Sequence, residues 1–164
     1  MVKFIHCADL HLDSPFKSRS HLSRSIFEDI QQSAYESFKN IIDIALNEEV
    51  DFVIISGDLF DKENRTLRAE VFLKEQFERL EKEQIFVYIC HGNHDPLTRS
   101  VATEWPNNVS VFSQNVETYQ TITRRGETIY LHGFSYQQDA SYENKIDAYP
   151  SSQGQELSLI HISE

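Results

Sequence analysis

Three short polar motifs follow three apolar segments of this chain. The motifs are Asp9-Leu10-His11, Gly57-Asp58-Leu59-Phe60-Asp61 and Gly92-Asn93-His94-Asp95. The apolar segments just before them, residues 2–5, 52–55 and 85–89, each predict a buried strand. Because ligands of open α/β sheets bind beyond the carboxyl ends of the strands, the three motifs would meet at one edge of one sheet. Their carboxylate, amide and imidazole groups are the donors that a two-metal site needs.

The spacing of these donors indicates how two metal ions could be held. Asp9 and His11 are one residue apart, so in an extended segment their side chains point the same way and could reach one ion. The Asp58 carboxylate has two oxygens and could bridge two ions, and Asn93 offers an amide oxygen to the second. Mixed oxygen and nitrogen ligation favours manganese, iron or zinc over magnesium alone. Two such ions about 4 Å apart could activate a water and hold the attacking and leaving oxygens of a phosphoester.

His94 is the candidate for assisting the leaving oxygen, by proton donation or by charge stabilisation. Taken singly, each motif also has an ordinary interpretation. Asp9 and His11 could be a solvated loop pair, Asp58 or Asp61 could cap the following helix, and residues 93–95 could form a simple turn. The occurrence of all three motifs in order, each after a predicted strand, favours the metal site.

Two amphipathic helices are predicted between the motifs. Apolar residues at helical spacing predict one helix over residues 26–47 and another over residues 66–83. The order β-α-β-α-β favours a parallel sheet with right-handed crossovers, and therefore one α/β domain. Beyond Pro96, with a hairpin turn at Arg125-Gly126, shorter β-rich segments are predicted at residues 109–112, 116–123 and 127–134.

The composition fits one globular domain and excludes several classes of protein. The chain has 164 residues, 40% of them hydrophobic, and no apolar segment approaches a membrane span of about 20 residues. No secretory signal is recognisable, and Cys7 and Cys90 give neither a zinc spacing nor a disulfide framework, so we expect a cytoplasmic protein without a membrane partner. The net charge of −11 argues against binding nucleic acid through overall charge, although divalent metals, a basic face or a basic partner would offset it.

At the three motifs the sequence resembles the calcineurin-like metallophosphoesterase superfamily. That superfamily has the pattern D-x-H, G-D-x-x-D, G-N-H-[DE], a lone His and then G-H-x-H, and the first three motifs match here at every ligand position. The sequence is more similar still to the SbcD/YhaO-type branch of DNA repair exonuclease subunits. The segments that carry this likeness are residues 4–16, 91–96, 105–109 and 133–136. The resemblance extends over about residues 2–156.

The resemblance implies a two-sheet sandwich flanked by helices, with layers in the order α/β/β/α. It also implies two divalent metal ions, with Mn²⁺ favoured and Fe²⁺ or Zn²⁺ as alternatives. Asp9 and His11 would hold one ion, Asp58 would bridge both, and Asn93 would bind the other. His94 would act on the leaving group.

Five further residues near the motifs are expected to have supporting roles. The resemblance implies that Asp61 and Asp95 orient the histidines. His91 borders the site and could contact substrate. His6 and His132 lie in predicted strands, where we expect structural roles, with His6 as a buried core histidine.

The resemblance implies a metal-dependent phosphodiesterase that acts on DNA as a repair exonuclease subunit. In this branch such subunits pair with a long coiled-coil ATPase of the SbcC type, through regions beyond this chain, and a homodimer is a further expectation. Another metallophosphoesterase, such as a phosphatase or a cyclic-nucleotide phosphodiesterase, is the alternative enzyme. A non-catalytic scaffold that only binds a partner is the alternative of a different class.

The fourth and fifth family motifs do not follow Tyr149. Residues 157–164 instead match the translation of a transposon-end sequencing adapter, so we predict that this octapeptide is not native. Residues 1–156 would then be the N-terminal part of a catalytic domain whose fold is incomplete at its C-terminus. His161 is left open as a ligand, because Ile162 stands where the family has glycine. On this interpretation residues 1–164 bind metal weakly and turn over little or no substrate.

Overall fold

A four-stranded parallel sheet forms the centre of the protein. The computed structural model describes residues 1–14, 24–61, 65–99, 103–139, 144–150 and 159–162. The strands lie side by side in chain order: β1 (Phe4–Cys7), β2 (Phe52–Ser56), β3 (Phe86–Cys90) and β4 (Val109–Val111). The helices that follow β1 and β2 in the chain are α1 (Arg24–Asn47) and α2 (Leu67–Lys82). The predicted parallel α/β sheet is thus confirmed.

The two faces of this sheet pack against different layers, because successive side chains of a strand point to opposite faces. On one face, side chains of β2 and β3 form a core with both helices; they are Val53, Ile55, Val87 and Ile89. On the other face, the alternate side chains of β2 and β3 pack against the second sheet; they are Phe52, Ile54, Tyr88 and Cys90. Burial on both faces explains why these two strands are almost continuously apolar.

The second sheet begins with an antiparallel hairpin. Strand β5 (Glu117–Ile122) pairs with β6 (Thr128–Gly133), and β7 (Leu159–Ile162) pairs with β6 in parallel. The predicted hairpin turn is present: Gly126 has φ of 80°, which glycine adopts at little cost, and its amide donates to the Thr123 carbonyl. Ile129 and Leu131 of β6 reach the core between the sheets.

The layers therefore follow the order helices, first sheet, second sheet, in agreement with the sandwich that the resemblance implies. The described residues supply three layers of the expected α/β/β/α sandwich. Strand β7 comes from the segment predicted to be non-native, with His161 opposite His132 in the β6–β7 register. Within the described part of the chain, no helix is long and apolar enough to cross a membrane.

The prediction that β1 is a buried strand is wrong. Among the described residues β1 pairs with β2 alone, so it is an edge strand, and Phe4 remains 40% exposed. His6 is also exposed and is not a core histidine. Its Nε2 lies 2.7 Å from the hydroxyl of Ser56 at the end of β2. An apolar segment alone could not reveal this, since edge position depends on which strands pair.

Candidate metal centre

The three motifs meet beyond the carboxyl ends of β1, β2 and β3. Parallel pairing of these strands brings their carboxyl ends to one edge. Backbone hydrogen bonds then continue past the first two strands. The amide of Asp9 donates to the carbonyl of Gly57 (3.3 Å), and the amide of His11 donates to the carbonyl of Asp58 (2.9 Å). The first motif is thereby held alongside the second.

Several residues of the site have an unusual backbone conformation. Among the described residues, non-glycine positions with positive φ are found after the two helices and at the motifs. Glu49 and Gln84 follow helix ends, where a left-handed residue is common. The others lie in or beside the first two motifs: Asp9, His11, Asp13 and Asp58. Such conformations cost about 1–3 kcal/mol each and concentrate at functional sites. Their presence here indicates that the carboxyl-terminal edge of the sheet is a functional site.

His11, Asp58 and His94 form a group that could hold a metal ion. Each offers a ligand atom, and these atoms all lie within 4.8 Å of one another. His11 Nε2 is 3.5 Å from Asp58 Oδ2 and 3.6 Å from Asp9 Oδ1. Two ligand atoms that share a transition-metal ion are about 3–3.5 Å apart, given bonds of about 2.1 Å. The imidazole and carboxylate donors thus fit a divalent transition metal in both type and spacing.

The third motif is joined to Asp58 through its backbone. The amide of His94 donates to Asp58 Oδ1 at 2.9 Å, while Asp58 Oδ2 is the oxygen that faces His11. Only 3% of Asp58 is exposed. The rings of His11 and His94 meet edge to face, with centroids 5.1 Å apart. Asn93 is half-buried in the turn just before His94.

Asp61 contacts the ring of His94 directly. Its Oδ1 lies 2.9 Å from His94 Nδ1, and its Oδ2 accepts a hydrogen bond of 3.0 Å from the hydroxyl of Ser14. Sequence reasoning singled out Asp61 but missed Ser14. Ser14 lies in the segment 4–16 that carries the family likeness, but its contact with Asp61 spans 47 positions of the chain and has no sequence signal.

Asp95 has a different partner. Its carboxylate accepts from the amides of Gly92 (2.8 Å) and Leu59 (3.1 Å), and Oδ2 lies 3.1 Å from Nδ1 of His91. Asp95 therefore orients His91 and joins the second and third motifs, while Asp61 holds His94. His91 is 3% exposed and offers a substrate almost no surface, so its position does not fit the expected substrate contact. His132 is likewise buried, with Nδ1 2.7 Å from the Thr118 hydroxyl, as expected for a structural residue.

A cleft of about 540 Å³ opens beside this group. Its lining includes Asp9, His11, Asp61 and His94, and one wall comes from α1 residues Ile30, Gln31 and Ala34. This volume is typical of sites for small molecules or for part of a larger substrate. The buried residues of α1 pack in the core, and a neighbouring strip of the helix faces the cleft.

Among the described residues, the two cysteines are not members of the group that could hold a metal ion. Both are free thiols, and burial raises the pKa of Cys7 and of Cys90 to about 12. Without a metal ion nearby, both thiols therefore stay protonated at neutral pH.

Several known proteins are similar to this chain in sequence. The family model for calcineurin-like phosphoesterases matches residues 2–158. An uncharacterized metallophosphoesterase, YhaO of Bacillus subtilis, is 48% identical over 148 residues, which is 89% of this chain and 36% of the relative. The DNA double-strand break repair protein Mre11 of Methanocaldococcus jannaschii is 28% identical over 145 residues (88% of this chain, 37% of the relative), and that of Sulfolobus acidocaldarius is 29% identical over 137 (82% and 34%).

This chain spans about a third of the length of these relatives. The family match nevertheless covers nearly every residue of the chain, including all three motifs. Members of the family are hydrolases that use divalent metals, and the group of His11, Asp58 and His94 has the donors and spacing for one. On these grounds the chain belongs to the calcineurin-like phosphoesterase family.

Proposed function

We propose that this chain carries the metal-dependent phosphodiesterase centre of a DNA repair exonuclease subunit of the SbcD/YhaO type. The observation that carries the proposal is the convergence of His11, Asp58 and His94 within 4.8 Å, each from a different motif. DNA is proposed as the substrate because several relatives are named DNA double-strand break repair proteins. Activity, substrate and partners belong to the whole protein and are proposed as such.

The proposed metal ligands are those that the family resemblance implies, and the contacts of His11 support the first part of the set. Asp9 and His11 would hold one ion, because His11 Nε2 lies near carboxylate oxygens of both Asp9 and Asp58. Asp58 would bridge to a second ion, bound also by Asn93. We favour Mn²⁺, with Fe²⁺ or Zn²⁺ as alternatives. When bound, the ions would supply an activated water and charge stabilisation for the phosphoester oxygens.

His94 would assist departure of the leaving oxygen. Since Asp61 Oδ1 engages Nδ1, Nε2 is the nitrogen of the ring left to give a proton in the cleft. In the proposed reaction the oxygen of water forms a bond to phosphorus, and the bond from phosphorus to the leaving oxygen breaks. The leaving oxygen takes the proton of His94, and the proton of the attacking water passes to solvent.

The proposed partners are DNA, an SbcC-like coiled-coil ATPase and a second copy of the protein. The proposed location is the cytoplasm, which suits two free thiols. We also propose that residues 1–156 form part of the catalytic domain and that residues 157–164 are a non-native tail.

A small phosphoester is the competing substrate, and the net charge of −11 favours it. The experiment compares hydrolysis of linear duplex DNA with that of p-nitrophenyl phosphoesters, using protein expressed from the longest reading frame that contains these residues. The variant Asp58→Asn supplies the background rate. Mn²⁺-dependent degradation of DNA above this background supports the nuclease. Turnover confined to the small esters would indicate a phosphatase or a cyclic-nucleotide phosphodiesterase instead, and metal binding without any turnover would indicate a scaffold.

A further inference from the structure

We propose that Ser14 is a positioning residue for His94 and acts through Asp61. This inference rests on the proposed function, because it concerns the ring that would serve the leaving oxygen. Ser14 is not part of the three family motifs. It lies three residues beyond His11 and half-buried at the cleft.

A chain of two hydrogen bonds connects the residues. The hydroxyl of Ser14 donates to Asp61 Oδ2 at 3.0 Å, and Asp61 Oδ1 is 2.9 Å from His94 Nδ1. A carboxylate only accepts, so the proton of the second bond is on His94 Nδ1. Each residue of this hydrogen-bonded chain comes from a different segment. Ser14 belongs to the loop that contains the first motif (residues 9–14, called the first motif loop), Asp61 to the second motif and His94 to the third.

The chain at and just before Ser14 is held by three hydrogen bonds. Its own amide donates to the carbonyl of His11 at 3.0 Å, and the amide of Leu12 donates to the carbonyl of Leu59 at 3.1 Å. The carboxylate of the preceding residue, Asp13, accepts a hydrogen bond from the hydroxyl of Thr66, the N-cap of α2. The position of Ser14 is thus set by a turn, by the second motif and by the N-cap of α2.

The second bond to Asp61 restricts how its carboxylate can turn. A carboxylate held at one oxygen can rotate and release its partner, whereas one held at both oxygens keeps its plane. Asp61 is 15% exposed, so water competes weakly for either oxygen. With Ser14 in place, Nδ1 of His94 keeps its proton toward Asp61. Nε2 is then the nitrogen that takes up a second proton and gives that proton to the leaving oxygen.

The test uses nitrogen-15 NMR of histidine rings in residues 1–164 without metal, at about pH 8.5, where an ordinary imidazole is neutral. The variants are Ser14→Ala, Ser14→Thr, which keeps the hydroxyl, and Ser33→Ala. Ser33 is a matched control, because its hydroxyl donates locally to the carbonyl of Ile30, on the exposed side of α1. Circular dichroism checks that each variant is folded. No turnover is needed, so a failed nuclease assay would leave this test intact.

We expect His94 of the parent, of Ser14→Thr and of Ser33→Ala to show one tautomer, protonated at Nδ1. In Ser14→Ala the two ring nitrogens of His94 should shift toward averaged frequencies as the second tautomer becomes populated. A His94 spectrum in Ser14→Ala identical to that of the parent would overturn the proposal. Unfolding of Ser14→Ala alone would overturn it as well, since Ser14 would then support the fold and not the ring.

Discussion

Asp58 is the residue on which the site converges. It has φ of 51°, is 3% exposed, and places one oxygen on the His94 amide and the other toward His11. Residue types at strand ends made Asp58, His11 and His94 predictable from the sequence. The role of Ser14 was not predictable, because its contact with Asp61 joins loops 47 positions apart in the chain. Asp95 and His91 are only four positions apart, but their pairing depends on how the third motif folds, which spacing alone does not give.

Asp95 gives a prediction at the scale of one residue. Its carboxylate accepts from two buried amides and adjoins the ring of His91, so Asp95→Ala leaves these groups without an acceptor. We expect the free energy of unfolding to fall by about 2–4 kcal/mol in urea denaturation. Asp29→Ala, on the exposed side of α1, is the control and should change it by less than about 0.5 kcal/mol. Equal stability of the two variants would show that Asp95 does not hold the motifs together.

At the scale of elements, helix α2 supports the site through its N-terminus. The Thr66 hydroxyl accepts from the amide of Ala69 at 3.1 Å and donates to the Asp13 carboxylate. The helix cap and the first motif loop therefore share one hydroxyl. Hydrophobic periodicity predicted α2 to within a residue of each end. It could not predict this shared contact, nor the edge position of β1, since both arise from tertiary packing.

Removing the Thr66 hydroxyl should weaken the cap and the loop together. We expect Thr66→Ala to lower the free energy of unfolding by about 1–2 kcal/mol, and Thr66→Ser, which keeps the hydroxyl, to lower it by much less. Urea denaturation measures both. If the alanine and serine variants were equally stable, the hydroxyl would not be the stabilising group.

At the scale of the whole molecule, the buried thiols make stability depend on alkaline pH. Burial raises the pKa of Cys7 and Cys90 from 9.0 to about 12. Between these values the unfolded chain loses thiol protons that the folded chain keeps, so the stability they contribute is complete below pH 9 and falls as the pH rises.

Urea midpoints measured from pH 8 to pH 11 test this dependence. The midpoint should fall with rising pH, and the double variant Cys7→Ala/Cys90→Ala should show a shallower fall. Some slope should remain, because burial also raises the pKa of Tyr35 to about 12. If the urea midpoint fell equally with pH in the unmutated protein and in the double variant, the raised pKa values of the two thiols would be contradicted.

The origin of residues 157–164 is also a question about the whole molecule. Residues 159–162 pair with β6, which shows that this segment can extend the second sheet but not where it comes from. The coding DNA tests the prediction. We expect adapter sequence from codon 157 onward; a natural gene that continues to a G-H-x-H motif would contradict it.

The central claim is a metal centre built on Asp58. A comparison of metal binding by the unmutated protein (the parent) and by Asp58→Asn tests it most directly. The asparagine oxygen can still accept from the His94 amide, so the fold should persist while the bridging charge is lost. In Mn²⁺ titrations followed by electron paramagnetic resonance, we expect Asp58→Asn to bind about tenfold or more weakly than the parent, and Asp29→Ala to bind like the parent. Equal Mn²⁺ affinity of Asp58→Asn and the parent would contradict a metal centre built on Asp58.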